Sequence, residues 1–257
     1  MRAEPFAEPE LTRNAFLGGR IALWQPREGY RAGIDPVVLA ASVPAKAGQS
    51  VLELGCGAGP ALACLGARVP GLALAGLELQ PGYAALARRN LADNGLTGEI
   101  LDGDVADPPA ALRQRSFHHV MANPPYFRAG ARSTAEDDGR ELALAGPVPL
   151  SDWVALAARR LRPGGTMTVI QRAERLPELL AALSGPLGAL ELLPLAPREG
   201  RAPRLVLARG RKGGRADFRF HAPMVIHRGA THLADGDDHT EVFRTVLWEG
   251  GALKFPA

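Results

Sequence analysis

Four consecutive residues, Asn123-Pro124-Pro125-Tyr126, combine a neutral amide, a backbone short of N–H donors and an aromatic ring. They follow the apolar run Val120-Met121-Ala122. Proline has no N–H to donate and holds the residue before it extended, so a strand entering this turn ends there in a rigid form. The turn offers the Asn123 side-chain oxygen and the Pro124 carbonyl as acceptors, with no competing local donor, and the Tyr126 ring as a stacking plate. A planar group bearing an amine suits it, because two oxygens accept the two amine hydrogens while the ring lies on the planar face. Stacking of a base on such a ring is worth roughly 1–3 kcal/mol. A proline-rich turn with no chemistry is the plain alternative, and the rest of the chain separates the two.

A second constellation lies upstream. The strand pattern from Gln49 to Leu54 runs into Gly55-Cys56-Gly57-Ala58-Gly59 and then into an Ala/Leu-rich helix ending near Val69. Strand, glycine turn and helix together let backbone amides and a helix N-terminus approach a ligand closely. No Gly-Lys-Ser/Thr follows, so this is not a nucleoside-triphosphate loop. The third glycine of a dinucleotide fingerprint would fall where Pro60 stands. Glu78, at the end of the strand Leu72 to Leu77, lies 19 residues beyond Gly59, where a carboxylate can accept both hydroxyls of a ribose. A third strand, Glu99 to Leu101, leads to Gly103-Asp104-Val105, where Asp104 can accept from an adenine amine beside the apolar wall of Val105. Four successive strand ends thus carry polar ligand groups, and in open α/β sheets such ends line one crevice.

The elements that position these groups follow in order. Met1 to Thr12 is polar and Pro-containing and is expected to be an unstructured arm, with Phe16 to Trp24 a short capping hairpin. Asp35 reads as an N-cap, with Pro36 at the first helical position, for a helix to Val43. A helix Pro81 to Asn94 stops at Gly95. Arg128 to Gly146 is long for a connection and reads as a lid over the substrate mouth or as a disordered loop. Ser151 caps a helix to Leu161 that Pro163-Gly164-Gly165 closes, before a strand Thr166 to Ile170. A helix from Arg175 to Ser184 and strands at Leu190–Leu195 and Arg204–Ala208 complete the pattern, and the tail from Phe218 gives only loop signals. Alternating strands and helices followed by paired strands fit an α/β fold, a seven-stranded, mostly parallel sheet with helices on both faces. The expected division is an arm and capping segment at 1–29, a catalytic domain at 30–220 and a tail at 221–257.

Glu53-Leu54-Gly55-Cys56-Gly57-Ala58-Gly59, Glu78, Asp104 and Asn123-Pro124-Pro125-Tyr126 together resemble the ordered motifs of class I S-adenosylmethionine-dependent methyltransferases that modify an amino nitrogen. More closely, the stretch from Phe16 through Asp35 to Tyr126 resembles the bacterial tRNA1(Val) adenine-N6 methyltransferases, and the likeness covers roughly residues 14 to 185. It implies a Rossmann-like fold and S-adenosylmethionine held by Asp35, Glu53, Gly55, Gly57, Gly59, Glu78, Asp104, Val105 and Asn123. It further implies catalysis by Asn123, Pro124 and Tyr126, with Pro125 and Phe127 against the substrate. The acceptor turn is shared with DNA adenine, rRNA guanine-N2 and release-factor glutamine methyltransferases, so the acceptor class stays open between RNA bases and a protein amide.

Charge distribution bears on that choice. The chain has 257 residues, 46% hydrophobic and 22% charged, and a net charge of +3. Between Arg198 and Arg219 stand eight basic residues against two acidic ones. That is the footprint of a phosphate-backbone contact, and Arg198, Arg201 and Arg211 are the expected grips on an RNA, a tRNA in the closest resemblance. Arginine outnumbers lysine along the whole chain, so arginine richness alone decides nothing. The two cysteines, Cys56 and Cys64, have neither a disulfide nor a zinc-ribbon spacing, and the six histidines show no metal-site spacing. The absence of an apolar signal segment or a long apolar run makes the cytoplasm the expected compartment and a membrane partner unexpected.

Overall fold

Apolar strand runs and Ala/Leu-rich helical runs alternate through the middle of the chain, and the structure, a computed structural model, assembles them into one mixed sheet. It describes residues 2–126, 148–229 and 238–256. In chain order the elements are β1 (Leu11–Phe16), β2 (Ile21–Pro26), α1 (Asp35–Ser42), β3 (Ser50–Leu54), α2 (Pro60–Arg68), β4 (Ala73–Glu78), α3 (Pro81–Asp93), β5 (Gly98–Asp102), α4 (Ala110–Arg113) and β6 (Phe117–Ala122). They continue with α5 (Leu150–Arg160), β7 (Leu161–Arg172), α6 (Leu176–Leu183), β8 (Gly188–Ala196), β9 (Leu205–Arg211), β10 (Arg219–Phe220), β11 (Met224–Val225) and α7 (Glu241–Trp248).

Strands β3 to β7 are mutually parallel, and β9 runs antiparallel between β7 and β8. Alternate side chains feed two cores. Val51, Met121, Ile170 and Leu193 pack with α1, α2 and α7 on one face, while Leu52, Val120, Val169 and Leu192 pack with α5 and α6 on the other. Both faces being covered explains why these strands read as near-continuous apolar runs. Among the described residues the sheet has nine strands where the sequence predicts seven. The additional two are the two-residue strands β10 and β11, both laid against β8 and too short to give a periodic signal.

The strand order β7-β6-β3-β4-β5 reverses between β6 and β3. The chain winds outward from β3 through β4 to β5, then returns to the far side of β3 and winds the other way. Connections leaving β3 and β6 therefore diverge and open a crevice at their carboxyl ends. The glycine loop leaves β3 there, and Asn123 leaves β6.

Local expectations change where tertiary contacts override local signals. Residues 2–10 are not an unstructured arm. The Arg2 guanidinium is bidentate to Glu10 at 2.8 Å, and the Arg2 backbone pairs with Gln80 and Gly82 at the start of α3. The capping hairpin is longer than Phe16 to Trp24, running from Leu11 to Pro26. It is fastened by Asn90, whose buried amide pairs with both backbone groups of Trp24 and with the Ala58 carbonyl of the glycine loop. Asp35 is the first helical residue of α1 and caps nothing, the cap position being Ile34. Ser151 likewise lies inside α5, which starts at Leu150 after Pro149. Pro163-Gly164-Gly165 is a bulge within β7 rather than a helix stop, and the β6–β7 register jumps across it. The tail contains α7, whose Phe243 and Val246 are buried against the core. Its β-branched and aromatic content is poor helix signal, so packing decides the conformation. The expected lid at Arg128 to Gly146 lies outside the described residues.

One histidine links this core to pH. His119 is buried on β6, with Nε2 2.9 Å from Gln49 Oε1 and Nδ1 2.7 Å from Thr166 Oγ1. The amide oxygen can only accept, so Nε2 carries the proton and the threonine hydroxyl donates to Nδ1. Burial, then the nearby His118 and Arg209, push its pKa from 6.5 down to about 4. The folded state therefore favours neutral imidazole while the unfolded chain protonates near 6.5. Its contribution is complete above pH 6.5 and is lost as pH falls towards 4. Urea unfolding between these limits is expected to show declining stability, with a shallower slope in His119→Gln.

Candidate active site

The glycine loop begins at Gly55, whose φ of +62° belongs to the left-handed region, and a Cβ there would sit 2.6 Å from the Trp153 ring on α5. Backbone conformation and packing therefore both require glycine. At Gly57, φ is +54° and a Cβ would meet nothing within 4 Å, so the loop shows bare backbone to open space. Its N–H donates to Glu78 Oε2 at 2.8 Å, while Gln80 N–H donates to Glu78 Oε1 at 2.9 Å. Glu78 thus joins the ends of β3 and β4. Its backbone carbonyl accepts from Gly103 at 2.9 Å, which brings the Asp104-Val105 turn alongside. Asp104 Oδ1 accepts from Ala106 N–H at 2.9 Å, and Val105 is buried. Glu53 faces inward, its Oε2 accepting from Leu62 N–H in the first turn of α2 at 3.1 Å, and holds the loop from beneath. Gly59 begins that helix with φ +78°, against Ala87.

Burial pushes the carboxyls of both Glu53 and Glu78 upward. For Glu78, hydrogen bonds from Gln80, Gly57 and Leu79 pull the other way. Two buried acids beside one open loop favour a ligand that brings positive charge.

Across the crevice, the Asn123 side-chain Oδ1 is buried and has no hydrogen-bond partner among the described residues. A buried acceptor without a donor costs about 1–3 kcal/mol, which a ligand N–H would recover. The two proline carbonyls beside it are not without donors, contrary to the local reading. Gln171 Nε2 donates to the Pro124 carbonyl at 3.3 Å, and Arg175 donates to the Pro125 carbonyl at 2.6 Å. Gln171 lies at the end of β7 and Arg175 just before α6, both buried, and Arg175 is held in turn by Glu178. These donors stand about fifty residues from the turn, and no local pattern announces them. A carbonyl has two lone pairs, so the Pro124 oxygen can accept a second hydrogen bond.

Tyr126 donates its hydroxyl to Asp35 Oδ2, and its ring carries the Arg172 guanidinium 4.9 Å from the centroid. Burial first, then the Asp35 carboxylate, raise the phenol pKa and keep that proton in place. The structure thus brings Asp35 to the acceptor turn through Tyr126. Phe127 lies outside the described residues.

The basic segment divides. β9 runs against the parallel strands, so its first residues reach the edge that bears Asn123 and its last reach the opposite edge. Arg201 and Arg204 are exposed on the near rim beside the exposed Arg172, and the Arg204 carbonyl accepts from Ala173 N–H at 2.9 Å. Arg198 is engaged in an ion pair with Asp238. Arg211 pairs with Thr166 at the far end of β9.

Residues 33–192 match the family model of the methyltransferase small domain. A tRNA1(Val) (adenine(37)-N6)-methyltransferase of Porphyromonas gingivalis is 28% identical over 207 residues, covering 77% of this chain and 78% of the relative. Among solved structures, a predicted O-methyltransferase from Agrobacterium tumefaciens superposes with a TM-score of 0.69 at 26% identity, over 87% of this chain and 100% of the other. The Thermus thermophilus 16S rRNA N2 G1207 methyltransferase, solved with AdoMet and guanosine, gives 0.53 at 19% identity, over 79% and 50%.

Gly55→Ala tests the loop packing. The methyl group must displace the Trp153 ring and strain φ, and overpacking of this kind costs about 1–3 kcal/mol. A matching fall in thermal midpoint is expected, whereas Gly164→Ala, with positive φ but open space around it, isolates the backbone part.

Proposed function

Because the chain belongs to the methyltransferase small domain family, we propose that it methylates the exocyclic N6 amine of an adenine in RNA, the RNA being a tRNA and the compartment the cytoplasm. It is an S-adenosylmethionine-dependent methyltransferase of Rossmann-like fold. The observation that carries the choice of acceptor is the buried, unpartnered Asn123 Oδ1 beside the Pro124 carbonyl.

The residues present fit the cofactor. The bare backbone at Gly57, the carboxylate of Glu78 for ribose hydroxyls, Asp104 for the adenine amine and Val105 for its face would hold it. Gly55, Gly59 and Glu53 shape the loop, and Asp35 borders the pocket through Tyr126. S-adenosylmethionine supplies an electrophilic methyl on a sulfonium, and the remaining work is orientation and electrostatics.

The nucleophile is the difficulty, because an adenine amine shares its lone pair with the ring. Asn123 Oδ1 and the Pro124 carbonyl accept its two hydrogens, which favours a pyramidal nitrogen and frees the lone pair for attack. As the nitrogen becomes cationic, these fixed dipoles stabilise the transition state more than the ground state. The extra proton on that nitrogen is then acidic enough to leave to water without a dedicated base. Gln171 and Arg175 hold the proline carbonyls in place throughout. Tyr126 and Pro125 border the base, which must be unstacked to reach them. The exposed Arg172, Arg201 and Arg204 put positive charge on the rim where phosphates of the same RNA would lie, with Arg198 behind them and Arg211 reaching a more distant part.

Labelled methyl transfer to bulk tRNA lacking the modification, followed by nucleoside analysis, tests the reading. The expected product is N6-methyladenosine, and removing one preorganised group in Asn123→Ala should lower turnover about a hundredfold or more while cofactor binding persists. Full turnover in that variant would exclude the acceptor role. Transfer to a release-factor glutamine or to rRNA guanine, with none to tRNA, would reassign the substrate. Gln171→Leu keeps the side-chain bulk but removes the donor to Pro124, so kcat is expected to fall about tenfold, in proportion to one lost hydrogen bond.

A further inference from the structure

Residues 215–220, Arg-Ala-Asp-Phe-Arg-Phe, are exposed throughout and form the outermost strand β10 and its approach. Phe218 is 53% exposed and Phe220 64%, the latter the most exposed large apolar side chain among the described residues. Arg215 precedes them, Asp217 adjoins Phe218 and Arg219 stands between the two rings, with Arg211 nearby in sequence, and none of these three arginines is in an ion pair among the described residues. Two bare aromatic rings interleaved with free arginines have the composition of a stacking platform for unpaired bases.

The sheet register fixes where this platform stands. Phe220 pairs with Leu192, Leu192 with Ala208, Ala208 with Val169 and Val169 with Ala122, the residue before Asn123. The platform is therefore level with the acceptor turn along the strands and four strand spacings away, about 19 Å at about 4.8 Å each. A single-stranded segment of a few nucleotides bridges that gap. The rim arginines Arg172 and Arg204 lie on β7 and beside β9, between the two.

We infer that the run 215–220 is a second contact for the RNA substrate, with unpaired bases stacking on Phe218 and Phe220 and phosphates neutralised by Arg215 and Arg219. This rests on the RNA reading above and adds to it a surface remote from the reacting amine. The same edge is ill suited to an added protein strand. β10 is only two residues long and carries a charge, both of which blunt edge pairing.

The test is fluorescence anisotropy of a labelled oligouridine, which lacks the target base, on the full chain. Phe218→Ala/Phe220→Ala is expected to weaken binding at least tenfold, given the strength of base stacking. Arg215→Gln/Arg219→Gln should reduce the slope of log affinity against log salt by about 1.4, for two single-strand phosphate contacts. All four residues are exposed, and unchanged thermal midpoints would show that the fold is intact. Binding within twofold of wild type in both variants, while wild type methylates RNA, would overturn the surface alone. Failure of the wild-type chain to methylate any RNA would overturn the RNA reading instead, and the surface with it. Loss of a dimer in the phenylalanine variant without loss of RNA binding would assign the rings to a second copy and overturn the inference.

Discussion

A turn built on two prolines has carbonyls to offer but lacks two of the amides with which it could hold itself. Much of what fixes Asn123-Pro124-Pro125-Tyr126 therefore comes from elsewhere in the chain. Gln171 at the end of β7 and Arg175 before α6 grip two successive carbonyls, and Asp35 at the start of α1 takes the Tyr126 hydroxyl. Three separate elements, from both faces of the sheet, converge on four residues. Such over-determination keeps a buried acceptor in position when it has no partner of its own, since local relaxation would otherwise turn the Asn123 amide towards a donor.

The opposite wall follows a different logic. The glycine loop is held by carboxylates instead of donating to solvent, with Glu53 beneath the first turn of α2 and Glu78 bridging Gly57 to Gln80. Among the described residues no cationic side chain is bonded to either acid, and burial holds the pKa of both above the usual carboxylate range. A helix N-terminus usually draws anions, yet here two acids already occupy its surroundings. The pocket's preference is thereby shifted from phosphate towards a ligand of opposite charge, which separates this loop from the nucleotide-binding loops it superficially resembles.

The parts of the site carried by short, contiguous motifs were legible in the sequence. The strand-to-glycine transition at Leu54-Gly55, Glu78 at a strand end and the proline turn each combine a local conformational rule with one polar group. What remained hidden depends on partners distant in sequence. Gln171 and Arg175 look like ordinary residues at a strand end, and Asp35 looks like a cap because the local pattern of Asp-Pro permits it. The basic segment was visible as a cluster, but only the antiparallel direction of β9 shows that Arg204 and Arg211 sit at opposite edges. The seven long strands were expected from the apolar pattern, whereas β10 and β11 owe their existence to the neighbouring edge of β8.

The two ends of the described chain meet on the face bearing α1. Arg20, in the turn of the first hairpin, donates to the Glu249 carbonyl at 2.7 Å, and Leu253 N–H donates to the Ala41 carbonyl at 2.9 Å. Phe243 and Val246 of α7 complete the core against which α1 rests. Contacts of such separation carry a larger loop-closure cost than local ones. During synthesis the strands and helices up to α6 can collapse in order of emergence, but α1 acquires its final neighbours only after residue 253 has left the ribosome. The helix that carries Asp35 is therefore seated by residues far downstream of it in the chain, and assembly of the pocket waits on the segment from Glu241 to Leu253 rather than on folding of the central sheet alone.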